Sequence, residues 1–121
     1  MTVYIIQDQK QLTDEGQLVS KFDFEPARRF GELKFVLRPS TSPFLNLPST
    51  IAEMHEVLSE FTDEDYLLLT GNPVLMGLAV AVAADYNEGN LNLLQWSGAK
   101  RVYIPIRAVD IFQSSSGQKQ E

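Results

Sequence analysis

Hydrophobic and polar positions alternate, cluster and recur along this chain in ways that predict most of its elements. Val3 to Gln7 is β-branched and aromatic and reads as a first strand. Asp8 to Gln17 is polar and reads as a loop. Leu18 to Phe24 alternates, with Leu18, Ser20, Phe22 and Phe24 on one side, and is read as a short strand broken by Pro26. Glu32 to Arg38 alternates more strictly and is read as a strand ending at Pro39, with Pro39 to Pro48 as loop. Thr50 followed by Glu53 makes a capping box, and Ile51, Met54, Leu58 and Phe61 form one apolar stripe, so a helix is expected from Thr50. Tyr66 to Thr70 is an almost wholly apolar run, which suits a strand covered on both faces. Gly71-Asn72-Pro73 then opens a second helix: Asn72 is a good N-cap, and Pro73 fits the first helical position. That helix, Val74 to about Asn87, is apolar nearly all round and rich in small residues, with Gly89 placed to end it. Leu91 to Trp96 is the next strand, and Ser97 to Lys100 turns into a last strand, Arg101 to Arg107.

Strand, crossover helix and strand within this span make a βαβ unit, so Tyr66–Thr70 and Leu91–Trp96 are expected to be parallel. Pro105 places the last strand at a sheet edge. The expected fold is α/β: a mixed β-sheet with one clear βαβ unit, two main helices and a C-terminal hairpin. Residues 1–113 are read as a single domain and 114–121, polar and charged, as a disordered tail. The core is expected on Leu67–Leu69, Leu75, Leu78, Val82, Leu93 and Leu94.

Composition narrows the chemistry. A chain of 121 residues can bury about two thirds of its unfolded surface without covalent staples. It has no cysteine, which removes disulfides, thiolate metal sites and thiol catalysis, and one histidine, which removes two-histidine sites within one chain. The longest apolar run, Val74–Ala84, is 11 residues, about half a membrane span. The N-terminus has no basic region resembling a signal peptide. A cytoplasmic protein is therefore expected, with neither cofactor nor metal.

The net charge of −6 argues against general nucleic-acid or anionic-membrane binding. Charge is also unevenly placed. Between Pro39 and Ala99 stand eight acids and no base, while all ten bases lie outside that stretch. Glu53, Glu56, Glu60, Asp63, Glu64 and Asp65 are its densest part. They read as a solvated helix face or, more sharply, as a docking surface for a basic protein.

Three other groups carry candidate chemistry. Gly71, Asn72 and Pro73 lie at the carboxyl end of a strand, where free amides and a helix dipole attract a small anion or nucleotide; an ordinary cap explains the same residues. Arg28, Arg29, Lys100, Arg101 and Trp96 mix bases with an aromatic, as single-strand platforms do, but they fall on separate segments. Trp96 and Tyr103 can equally be a cross-strand pair. His55 lies on the flank of the first helix's stripe and reads as a packed histidine. An enzyme is the least supported class, with no histidine pair and no phosphate loop.

The segment Asp65-Tyr66-Leu67-Leu68-Leu69-Thr70-Gly71-Asn72-Pro73, the alanine-rich helix through Asp85, Leu93-Leu94-Gln95-Trp96, Tyr103-Ile104-Pro105 and the earlier Pro26-Ala27-Arg28-Arg29-Phe30-Gly31-Glu32-Leu33 resemble a group of small uncharacterised tailed-bacteriophage proteins. Gly-Asn-Pro stands where Gly-Asp-Pro is more usual in the group; both cap helices. The resemblance implies a viral origin, a short accessory gene and action in the cytoplasm of a host cell. It implies no activity and carries over no functional residue. The expected function is thus a non-enzymatic accessory or interaction protein, working through its acidic surface or as a homo-oligomer. The alternatives are an anion or nucleotide site at Gly71–Pro73 and single-strand binding.

Overall fold

A computed structural model describes residues 1–113; the expected tail, 114–121, lies outside the described residues. Five strands form the main sheet: β1 (Thr2–Gln7), β4 (Glu32–Leu37), β5 (Tyr66–Leu68), β6 (Leu91–Ser97) and β7 (Val102–Ala108). Their order is β4-β1-β5-β6-β7. The first four are mutually parallel, and β7 runs antiparallel to β6. Strands β5 and β6 are joined by α2 (Pro73–Tyr86), so the expected βαβ unit and C-terminal hairpin are present, and Pro105 lies on an edge strand.

The order is that of a doubly wound sheet. From β1 the chain passes under one face through a small hairpin, β2 (Lys10–Leu12) with β3 (Leu18–Ser20), and a 3₁₀ helix, Glu25–Phe30, to reach β4. It returns over the opposite face through α1 (Leu47–Leu58) to β5 on the far side of β1. Both α-helices therefore share one face. There Tyr4, Ile6, Val36, Leu67 and Leu91 pack against Met54, Leu58, Leu75, Ala79 and Ala83. On the other face Val3, Ile5, Leu68, Leu94 and Tyr103 are covered by Phe24 and Ala27. The continuous apolar run of β1 follows from this: Val3 to Ile6 are buried on alternate faces.

Of the expected core, Leu67, Leu68, Leu75, Val82 and Leu94 are buried. Leu69, Leu78 and Leu93 are only partly so, and much of the weight falls on Ile5, Ile6, Met54 and Leu58. The first helix begins earlier than the capping box suggests. Asn46, with φ 50°, precedes Leu47, Pro48 sits in the first turn where its missing N–H costs nothing, and Thr50 is a buried residue inside the helix. The polar stretch read as a loop contains β2, and the strand expected over Leu18–Phe24 stops at Ser20. These hairpin strands are fully exposed, so no burial pattern marks them in the sequence.

Candidate functional site

Ligands of doubly wound sheets bind at the carboxyl ends of the strands, where the order reverses; here that point lies between β1 and β5. It is filled. Gln7, the last residue of β1, is 4% exposed. Its Nε2 lies 2.9 Å from the carbonyl of Thr41, 3.2 Å from that of Arg38 and 3.3 Å from that of Pro39, and its Oε1 accepts from Asn72 N at 2.9 Å. Gly71 passes directly over it. A Cβ there would stand 2.6 Å from Gln7 Cβ, and the backbone has φ +116°. One glutamine thus stitches the ends of β1, β4 and β5 together.

The helix start beside it is equally occupied. Asn72 Oδ1 accepts from Val74 N at 2.9 Å and Leu75 N at 3.3 Å, and Met76 N bonds Asn72 O. Pro73 has no amide to give. Gly71, Asn72 and Pro73 form a capped helix entry, with none of these amides turned to an incoming anion. Asn72→Ala should lower stability by about 1 kcal/mol, read by chemical denaturation; an unchanged midpoint would mean that the cap is redundant.

The acidic residues separate into distinct roles. Asp65 is buried: Oδ1 accepts from Thr2 N at 2.9 Å, and Oδ2 from Thr62 N and Oγ1 at 2.9 and 3.0 Å. It ties the start of β1 to the turn before β5 and is not a docking residue. Asp63 is exposed but engaged, with Asn87 Nδ2 at 2.8 Å and Arg107 at 3.3 Å; these bonds, Asn87 first, hold its carboxyl below the ordinary value. Glu56, Glu60 and Glu64 are exposed, and Glu53 is half-buried. His55 Nδ1 lies 2.8 Å from the Tyr86 hydroxyl, linking α1 to α2. Among the described residues no group of three or more His, Asp or Glu is placed to hold a metal ion.

A cavity of about 600 Å³ runs along the open edge of β4. Asp8, Lys10 and Arg38 line it on the strand side, Glu53 and Glu56 on the α1 side, with Phe35 and Val57 between. Asp8 Oδ2 is taken by Lys10 at 3.1 Å and by the Ser20 hydroxyl at 2.6 Å, which pins the β2–β3 hairpin to the sheet, while its buried Oδ1 has no partner. Asp8, Glu53 and Glu56 face Lys10 and Arg38 around this cavity, so charges of both signs line it.

Trp96 and Tyr103 are cross-strand neighbours on the face away from the helices, with ring centroids 4.9 Å apart. Tyr103 is buried, and its hydroxyl donates to Asp23 O at 3.1 Å. Trp96 remains 37% exposed. With Arg101 and the unanticipated Lys21 and Phe22 it lines a groove of about 490 Å³. Arg28 is paired with Glu25 at 2.9 Å, Arg29 lies over the Phe30 ring, and neither lines this groove; Lys100 is exposed in the adjoining turn. Burial, and behind it the nearby Asp23 carboxylate, pushes the Tyr103 phenol up to about 12 from 10.0. The fold thus favours the neutral phenol. This stabilisation is complete below pH 10.0 and is lost as pH rises through about 12. In an alkaline titration of tyrosinate absorbance, Tyr103 should ionise late, together with loss of the Trp96 near-ultraviolet dichroism. Loss of that dichroism already near pH 10.0 would contradict this.

The fold and these sites define a small doubly wound α/β protein whose usual ligand crevice is filled by Gln7. The chain matches the family model described as Phage Pam3 gp32-like protein over residues 1–110, and it belongs to that family. This agrees with the resemblance to small tailed-phage proteins noted in the sequence. No curated protein and no solved structure matches it. No helix among the described residues is long and apolar enough to cross a membrane.

Proposed function

We propose that this is a non-catalytic phage accessory protein that acts by contact in the host cytoplasm, working as a homodimer joined through the outer side of α2 and the adjoining edge of the sheet. The observation that carries this reading is an uncovered apolar face. One side of α2 is buried in the core, through Leu75, Ala79, Val82, Ala83 and Ala84. Its other side exposes Val74, Gly77 and Ala81, with Met76 and Val80 flanking a shallow groove against Leu69 and Gln95. Ile104 and Ile106 of edge strand β7 are opposite Gln95 and Leu93 and extend the same face. From Pro73 to Ala84 the helix carries no charge; Asp85, one turn beyond Ala81, is exposed at the end of the same stripe.

Charge favours a second copy as the occupant. In a protein of net charge −6, α1 presents Glu53 and Glu56 and the segment after it Glu60 and Glu64, so copies meeting there would set like charges against each other. On the α2–β7 face a two-fold contact brings each apolar patch against its own twin with no such opposition. A Cβ added at Gly77 would meet nothing within 4 Å, so the helix backbone is open to close approach. The exposed acids are left outward in the dimer for a basic protein partner.

Native mass spectrometry at micromolar protein tests the reading. A mass of twice 13.6 kDa is expected. A monomer across the whole concentration range would overturn it.

A further inference from the structure

We propose that the groove between Trp96 and the loop after β3 is a binding site for single-stranded nucleic acid, taking one base against the exposed indole and the flanking phosphates on Lys21 and Arg101. The net charge of the chain argues the other way, but the fold separates the charges. The acids of α1 lie on the helix-bearing face, whereas Trp96 and Tyr103 are on the opposite face of the sheet, with Phe24 and Ala27. What a ligand meets locally is therefore not the average of −6.

Four features converge on this groove. Trp96 and Phe22 are each 37% exposed and line it together; the Lys21 ammonium lies over the Phe22 ring at 5.6 Å from its centroid, which leaves the indole as the stacking surface. Lys21 and Arg101 line it too, and among the described residues neither is in an ion pair. A second pocket of about 200 Å³, bounded by Phe22, Phe24, Gln95 and Trp96, opens beside it and adds depth on the same aromatic walls. The arrangement is also held in place: Tyr103 supports the Trp96 ring edge-on from below, and its bond to Asp23 O fixes the loop that carries Lys21 and Phe22. Asp23 lines the groove as well, its Oδ1 accepting from Glu25 N at 3.0 Å; against Lys21 and Arg101 its single negative charge leaves the lining net positive. A planar stacking surface beside two cations that are in no ion pair suits a base joined to phosphates, the combination that single strands present repeatedly and duplexes hide. The site is on the opposite side of the sheet from the proposed dimer contact and does not depend on it.

The chain's sole tryptophan is the probe. Titration with a short oligothymidylate at low salt should quench its fluorescence saturably. The logarithm of affinity should fall with the logarithm of salt at a slope of about −1.4, as two phosphate contacts on a single strand require. By anisotropy of a labelled oligothymidylate, the exposed double variant Lys21→Ala/Arg101→Ala should flatten that slope. Trp96→Ala should weaken binding roughly tenfold or more, and Trp96→Phe should retain most of it. Absence of quenching, an equal response to thymidine monophosphate or to duplex, or binding indifferent to both cations in folded variants would overturn the proposal.

Discussion

Ala81→Glu and Ile106→Glu should each convert the proposed dimer to a monomer while leaving the fold intact. Ala81 is exposed on the outer side of α2, and Ile106 is 41% exposed on β7. Glutamate is a good helix former at the first position and meets solvent at both in the isolated chain. At a two-fold contact every substitution appears twice, so each variant buries two unpaired carboxylates. Leaving a charge unpaired in an interface costs about 3 kcal/mol or more, which is about a hundredfold or more in the dissociation constant. Light scattering after size exclusion reads the mass, and circular dichroism reads the fold. Glu60→Gln, on the acidic side, should leave the mass unchanged. Retention of the dimer in both glutamate variants would remove the α2–β7 face from the account.

The second large effect is expected at the plugged crevice. Gly71→Ala introduces a Cβ that would stand 2.6 Å from Gln7 Cβ and 2.8 Å from Gln7 Oε1, in a backbone conformation with φ +116°. Neither partner has room to yield, because Gln7 is held by bonds to Thr41, Arg38, Pro39 and Asn72. Backbone strain of about 1–3 kcal/mol adds to overpacking of similar size. A domain of this size has only about 5–15 kcal/mol in hand, so a fall in Tm of more than about 10 °C is expected. Gln7→Leu should be comparably harmful for the opposite reason. It keeps the volume but leaves Asn72 N and three carbonyls without their partner, at about 1–3 kcal/mol for each group left buried. Gly98→Ala, where an added Cβ meets nothing within 4 Å, should be nearly neutral. If Gly71→Ala melts with the unsubstituted protein, the description of the crevice as closed by Gln7 is wrong.

What could be read from the sequence was what local patterns encode. The apolar run of β5, the Asn72-Pro73 entry of α2, the turn after Ser97 and the edge position of Pro105 each depend on a few neighbouring residues, and each is found in the structure. The start of α1 was misplaced because Thr50 and Glu53 imitate a capping box one turn inside the helix. Gln7 gave no signal, since a polar residue ending an apolar strand looks like the start of a loop. Its partners lie 31 to 65 residues away. Asp65 looked like part of an acidic surface because three acids in a row imply solvent, yet its carboxylate is spent on Thr2 and Thr62. The groove was half legible: Trp96 and Arg101 stand close together in sequence, whereas Lys21 and Phe22 reach them through a bond spanning 80 residues. Surface complementarity to another molecule has no local pattern, and for that reason function is less legible here than fold.

The proposed assembly places the outer sides of two α2 helices against each other. The chain has no cysteine, so single introduced thiols report contacts without background. Oxidation of Ala81→Cys tests the central claim most directly, with Ala52→Cys, exposed on α1, as its counterpart. Rapid, near-complete disulfide-linked dimer from Ala81→Cys and little from Ala52→Cys is the result predicted. No linked dimer from Ala81→Cys, or equal linkage from both positions, would contradict it.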